Sequence, residues 1–357
     1  MKIAIITDTH AGARNDNKAL KAKQQQFYEE VFFPTLEERG ITTVLHLGDL
    51  YDRRKYINFE TLSWWNRIFM DRLNALNIEC HFIAGNHDTY YKSTNEVNAL
   101  RELYDSSKYE TMNFYWKEPV EIDFDGATVC LAPWLAPDNT EVSLQKIAAS
   151  KAQILMGHFE LTGFTMTKGQ LCDHGLDAGV FSKFHSVFSG HFHTQSKGKN
   201  IQYLGSPYEM TWNDHGERKG FHIFDTKTFE LEFIENTHKS FHKIKYEDSD
   251  LTVADIADLD LSGLTNAFVK VIIINRTNPY MFDLLMDKLN NCGAAEVKIV
   301  EDNKYFDELS EGELLDETES TEVILQKYIE AIEIGESVDK TVLTKFMLEL
   351  YKESLSA

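Results

Sequence analysis

Cysteine, positive charge and long apolar runs are all scarce in this chain of 357 residues. The four cysteines, Cys80, Cys130, Cys172 and Cys292, are scattered and form no Cys-x-x-Cys pair. That spacing excludes a disulfide framework and a cysteine-ligated zinc site, and it matches a reducing compartment. Lysine and arginine number 36 against 57 aspartates and glutamates, a formal charge of −21. An acidic chain does not attract nucleic acid by net charge, so any role on DNA must come from a local site or from a partner. No stretch approaches the roughly 20 apolar residues of a membrane span. The opening MKIAIITDTH is too short and too polar for a secretion signal, so no membrane role and a cytoplasmic location are expected. What is present is a core: 43% of residues are hydrophobic and 12% aromatic, which excludes a mainly disordered chain.

At roughly 100–200 residues per domain, the length suggests two domains with an appendage. The charge is unevenly spread, since Glu301 to Ala357 holds 5 basic against 16 acidic residues. Lys2–Thr7, Thr43–Leu47 and Cys80–Ala84 are β-rich apolar runs that each end in polar residues or glycine. Lys18–Arg39 and Phe59–Leu76 between them have helical length and period. That order predicts an α/β fold with a largely parallel sheet whose functional loops lie at the carboxyl ends of the strands. From Gly126 the strands crowd together (Ala127–Ala132, Ile154–Met156, Ser186–Phe188, Ile201–Leu204, Phe221–Asp225, Glu230–Ile234), which predicts a second sheet and an αββα sandwich. The expected boundaries are a main domain over 1–238, a small α/β capping domain over 239–302, an acidic linker over 303–320 and a helical tail over 321–357. In the cap, Ala267–Ile274 and Glu296–Val300 read as strands flanking a helix at Tyr280–Asn291. In the tail, Val342, Leu343, Phe346, Met347, Leu350 and Tyr351 fall on one helical stripe, and Ile324, Tyr328, Ala331 and Ile332 give the preceding helix a similar face. A stripe tethered by a solvated linker has no assured place on its own core, so a second chain is its expected cover.

Five polar clusters fall where predicted strands stop: Asp8-Thr9-His10, Gly48-Asp49-Leu50-Tyr51-Asp52, Gly85-Asn86-His87-Asp88, Gly157-His158 and Gly190-His191-Phe192-His193. Oxygen and imidazole donors in this mix suit Mn²⁺, Fe or Zn, with Mg²⁺ a poorer match. A carboxylate flanked by such donors on both sides is what a two-metal site needs, where cations about 3.5–4 Å apart clamp a phosphate and activate water for in-line attack. The glycines are expected to let the strands turn and to leave room for the phosphate. One Asp-x-His or His-x-His alone is ordinarily a surface pair or a satisfied core histidine. Chance scatter of 13 histidines does not explain why the glycines accompany them. Arg53, Arg54 and Lys55 follow at once and put positive charge at the mouth of such a site, where it could hold a DNA backbone.

The series DTH, GDLYD, GNHD, GH and GHFH resembles the calcineurin-type metallophosphoesterase superfamily over residues 1 to about 210. The phrases GITTVLHLGDLYDRRK, IAGNHDTYYK, SGHFHT and YLGSPYEMTWND are similar to the nuclease subunits of double-strand-break repair complexes: the bacterial SbcCD type and, nearer, the recombination endonuclease subunits of T-even-type phages. That resemblance implies one metal on Asp8, His10, Asp49 and His193, another on Asp49, Asn86, His158 and His191, and Mn²⁺ or Mg²⁺ as the ions. It implies that His87 contacts the scissile phosphate and helps protonate the leaving oxygen, a role suited to a side chain that titrates near neutral pH. Asp52 stands where archaeal and eukaryotic relatives have histidine, and it is expected to orient His87 or to be an ordinary capping carboxylate. The implied activities are 3′→5′ exonuclease and single-strand or hairpin endonuclease, in DNA recombination, repair and replication. The implied partners are DNA and an ABC-type ATPase with a long coiled coil, in a heterotetramer built on a homodimer of this chain. If the chain is phage-encoded, the cytoplasm is the host's. A phosphatase or small-molecule phosphodiesterase of the same superfamily is the alternative, and a metal-free scaffold is a third.

Overall fold

Lys2–Ile6 buries four of its five residues and Thr43–His46 all four, the mark of central parallel strands covered on both faces. In a computed structural model that describes residues 1–104, 108–301, 329, 340, 341 and 343–347, these strands lie inside a six-stranded sheet. Its order is Leu231–Glu235, Gly220–Asp225, Lys2–Ile6, Thr43–His46, Glu79–Ile83, Met112–Tyr115. The four strands from Lys2–Ile6 onward are mutually parallel, and Gly220–Asp225 runs against them. A second six-stranded sheet runs Ser196–Gly198, Ile201–Tyr203, Ser186–Gly190, Ile154–His158, Ala127–Ala132, Val120–Phe124. Ile3, Ile5, Leu45 and Leu47 of the first sheet share a buried cluster with Val129, Leu131, Ile154 and Met156 of the second. The two sheets are therefore packed face to face, and helices cover the outside.

Two helical runs cover the first sheet. One passes from Lys18–Phe27 through Tyr28–Phe32 to Phe33–Arg39, and the other from Phe59–Trp65 through Asn66–Met70 to Asp71–Ala75. The side chain of Asn17 caps the first run by accepting from Ala19 N and Leu20 N, and Gly40 ends it at φ 60°. Each run contains a wider π turn where large rings crowd together, with Trp65 stacked on Phe69 at 4.6 Å and Tyr28 5.2 Å from Phe69. On the other side, Ile147 of the helix Thr140–Ala149 packs into the cluster formed by Leu155, Phe159, Val187 and Tyr203.

Two edge strands, Met112–Tyr115 and Val120–Phe124, escape the sequence reading because they lack the continuous apolar run of the central strands, their apolar residues being interrupted by Asn113, Glu121 and Asp123. The region after residue 238 is also richer than expected. Phe241–Glu247 pairs in parallel with Phe268–Asn275, and Glu296–Glu301 completes a three-stranded sheet backed by the helix Pro279–Asn290. Lys243 and Lys245 between apolar residues hide the first of these strands. This sheet packs on the helical side of the main core. Phe241 and Phe268 stack at 5.2 Å within that core, and the Arg14 guanidinium lies 4.7 Å from the Phe268 ring.

Residues Met1–Ile299 form one compact unit and Val300–Ala357 another. In the second unit, residues 343–347 are helical, which includes Leu343, Phe346 and Met347 of the apolar stripe. Val342, Leu350 and Tyr351, the upstream stripe residues and the 303–320 linker lie outside the described residues. Among the described residues no helix is long and apolar enough to cross a membrane.

Candidate metal centre

All five sequence clusters arrive at one end of the sandwich, at the carboxyl ends of Lys2–Ile6, Thr43–His46, Glu79–Ile83, Ile154–His158 and Ser186–Gly190. Donor atoms of Asp8, His10 and His193 lie within 4.8 Å of one another, and so do those of Asp49, His158 and His191. Asn86 joins the second group: its Oδ1 is 2.9 Å from both His158 Nε2 and His191 Nδ1. Asp49 stands between the two groups. Its Oδ1 accepts from the His87 backbone N–H at 2.7 Å, while Oδ2 lies 3.3 Å from His158 Nε2 and 3.7 Å from His10 Nε2. Asp8, His10, Asp49 and His191 all hold left-handed backbone angles (φ 52°, 38°, 57° and 86°). Such angles persist only where the surroundings enforce them.

The enforcement is visible. Asp88, 1% exposed, accepts from the N–H groups of Asp49, Leu50 and Gly85 at 2.8–2.9 Å and so ties two of the loops together. The Asp8 carboxylate accepts from Thr7 Oγ1 and from the His191 N–H. The carbonyl of His193 accepts from Lys219 Nζ at 2.8 Å, and that buried ammonium is neutralised by Asp214 at 2.6 Å. The Glu160 carboxylate lies 3.6 Å from His191 Nε2, which leaves Nδ1 to face Asn86. Carboxylates placed behind imidazoles in this way fix the ring and its tautomer. The sequence assigns no role to Asp88, Glu160, Lys219 or Asp214. Asp88 directly follows His87 and Glu160 lies just beyond His158, and that adjacency was the available signal. Lys219 and Asp214 gave none.

The donors fit cations. His158 Nδ1 donates to the Leu47 carbonyl at 2.7 Å, so a neutral ring turns a bare Nε2 lone pair toward two acceptors, Asn86 Oδ1 and Asp49 Oδ2. Only positive charge resolves that arrangement. Burial opposes protonation of His158, but the Asp49 carboxylate overrides it and holds the imidazole at about 9. Burial likewise opposes ionisation of Asp49, yet His158 and His87 keep it ionised, well below the usual carboxylate range. On the other side, burial holds His193 down at about 4 and keeps His10 neutral. His10 and His193 as neutral imidazoles and Asp49 as an ionised carboxylate are in the states that bind a metal, and at His158 a cation would take the place of the Nε2 proton.

Gly48 turns the chain as expected, at φ +95°, but the missing Cβ atoms serve a purpose different from the one expected. A Cβ on Gly85 would sit 2.1 Å from Asp49 Oδ1 and 2.4 Å from Asp49 N, and one on Gly190 would sit 2.1 Å from Thr7 Oγ1. Gly48 combines φ +95° with 2.5 Å to His158 Nδ1. The space they free is taken by the neighbouring loops rather than kept for a phosphate. Gly85→Ala is expected to displace Asp49, losing about 1–3 kcal/mol of stability together with divalent-ion binding. Thermal unfolding and metal content check this, and wild-type values for both would contradict it.

The remaining flagged residues are placed as follows. His87 lies with its ring 4.8 Å from that of His10, and its Nδ1 is 2.5 Å from the main-chain carbonyl of Asp52. The Asp52 carboxylate faces His10 Nδ1 at 3.6 Å. The Asp52 backbone thus meets His87, and its carboxylate faces His10. Arg53 is tied to Asp16 at 2.6 Å and packs over Tyr56, while Arg54 is half-buried and Lys55 exposed.

The model of the calcineurin-like phosphoesterase family matches residues 1–195. Exonuclease subunit 1 of Enterobacteria phage T4 is 35% identical over 273 residues, which span 76% of this chain and 77% of that protein. A solved archaeal phosphodiesterase overlaps 66% of this chain and all of its own, at 13% identity and a TM-score of 0.34. A hypothetical protein from Thermus thermophilus overlaps 62% of this chain and 92% of its own, at 13% identity and a TM-score of 0.33. The last two likenesses are too slight to bear on what this chain does.

Proposed function

This chain belongs to the calcineurin-like phosphoesterase family, and from that premise we propose that it is the DNA-cleaving subunit of an end-processing complex. The observation that carries the reading is the single oxygen Asp49 Oδ2 turned toward both imidazole groups, together with a relative named as an exonuclease subunit. Asp8, His10, Asp49 and His193 would hold one divalent cation, and Asp49, Asn86, His158 and His191 the other. Four imidazoles among the donors favour Mn²⁺ over Mg²⁺. Bound cations would supply charge neutralisation at the phosphate and a more acidic water.

The chain's own groups do the rest. His87 donates Nδ1–H to the Asp52 carbonyl, so Nε2 is the atom that hands a proton to the leaving 3′-oxygen. The Asp52 carboxylate acts behind His10. Arg54 and Lys55 contact the DNA backbone, and Arg53 contributes by fastening their loop to Asp16. The reaction is hydrolysis of DNA phosphodiesters by 3′→5′ exonuclease and single-strand or hairpin endonuclease action. The partner is a coiled-coil ATPase that supplies the DNA-binding surface an acidic chain lacks, in a heterotetramer containing two copies of this subunit. Cleavage of labelled DNA should exceed that of a generic aryl phosphodiester in Mn²⁺. The reverse preference would return the chain to the phosphatase or small-molecule class.

The helical tail is the docking site for that ATPase, through Val342, Leu343, Phe346, Met347, Leu350 and Tyr351. Removing residues 321–357 should leave manganese-dependent cleavage of short single strands and abolish co-purification with the ATPase. A truncated chain that still co-purifies at normal yield overturns the docking assignment.

A further inference from the structure

Trp134 stands beside the metal centre and has no part in the chemistry above. It follows Ala127–Ala132 in the second sheet, and its ring centroid lies 5.2 Å from that of His191 and 6.0 Å from that of His158. Its backbone is fastened from several sides. The N–H donates at 2.8 Å to the carbonyl of Ala84, two residues before Asn86. The carbonyl accepts from Asn95 Nδ2 at 2.7 Å and from Asn139 Nδ2 at 3.2 Å. Asn95 is itself only 3% exposed, and it donates to the Trp116 carbonyl as well. Burying a primary amide is costly unless its hydrogens are bonded. Here both bonds fix main-chain carbonyls, one of them that of Trp134.

Trp64 and Trp65 are covered, at 4% and 0% exposure; of the half-buried tryptophans, Trp116 and Trp212 pack against the main core, whereas Trp134 stands against the candidate ligand imidazoles His191 and His158. Trp134 is half-buried, with its backbone fixed and its ring beside the imidazoles of the site. The geometry points to Trp134 as a stacking platform for the nucleobase next to the scissile phosphate, a role that rests on the DNA reading above. Every base offers a π face, so stacking holds DNA without regard to sequence. It also works without a net positive charge, which this acidic chain lacks. A base can reach the ring only if it is unpaired, so the substrate class is single-stranded DNA or a frayed end.

The test measures binding, in the slow-cleaving His87→Ala background with Mn²⁺. A fluorescein-labelled oligothymidylate is compared with an abasic sugar-phosphate chain of equal length by fluorescence anisotropy. The His87→Ala protein should bind the oligothymidylate about 5- to 100-fold more tightly. Adding Trp134→Leu, which keeps an apolar side chain but removes the π face, should erase that difference. Adding Trp134→Tyr should preserve most of it. Manganese content, expected to be unchanged in both, separates lost stacking from a collapsed site. If the Leu variant keeps the base-dependent difference, or if the His87→Ala protein binds both chains equally, the stacking role is overturned while the nuclease reading stands. Binding of neither chain overturns the nuclease reading itself.

Discussion

Asp49→Asn is expected to abolish cleavage of DNA, by about a thousandfold or more, and to lower bound divalent metal in the same preparation. The two carboxylate oxygens have separate duties: Oδ1 takes the His87 N–H at 2.7 Å, and Oδ2 faces His158 and His10. An amide cannot replace them in either orientation. With its nitrogen at the Oδ1 position, two donors meet at His87. With its nitrogen at the Oδ2 position, the amide offers hydrogens where a cation needs an electron pair. The substitution also removes the buried charge that holds His158 at about 9. Steady-state cleavage of a labelled single strand and metal analysis are the measurements. A variant with full activity would sink the two-cation arrangement.

His87→Ala should reduce turnover by roughly 10²–10⁴ and leave metal content unchanged. The variant keeps the backbone N–H that fastens Asp49, so the carboxylate stays in place. What it loses is an imidazole anchored to the Asp52 carbonyl and standing 4.8 Å from the His10 ring. The defect should shrink on an aryl phosphodiester, whose leaving group departs without a proton. If metal is lost together with activity, His87 is a ligand and its role as acid is wrong. An equal defect on both substrates would also remove the acid role.

The turns that carry the candidate ligands were legible because each follows a short buried apolar run, and both the strand and its end leave a trace in the sequence. Asp49 shows this best: Thr43–His46 is wholly buried, and the chain turns at Gly48 immediately after it. The supporting contacts were not legible, because they join residues far apart in the chain. Nothing near Arg53 announces that Asp16 will occupy its guanidinium, and nothing near Trp134 announces Asn95 and Asn139. Asp52 shows the limit from another side: it was expected to orient His87 or to be an ordinary capping carboxylate, and its main-chain carbonyl meets His87 while its carboxylate faces His10. The strand Phe241–Glu247 was hidden for an energetic reason: its pairing with Phe268–Asn275 supplies an order that its lysine-rich sequence does not advertise.

The most direct test of the paired-cation centre is a manganese titration of the full chain followed by electron paramagnetic resonance. Two ions sharing Asp49 should be taken up per chain, and their spins should couple as the second site fills. Uptake of a single ion, or of two ions without coupling, would contradict the account.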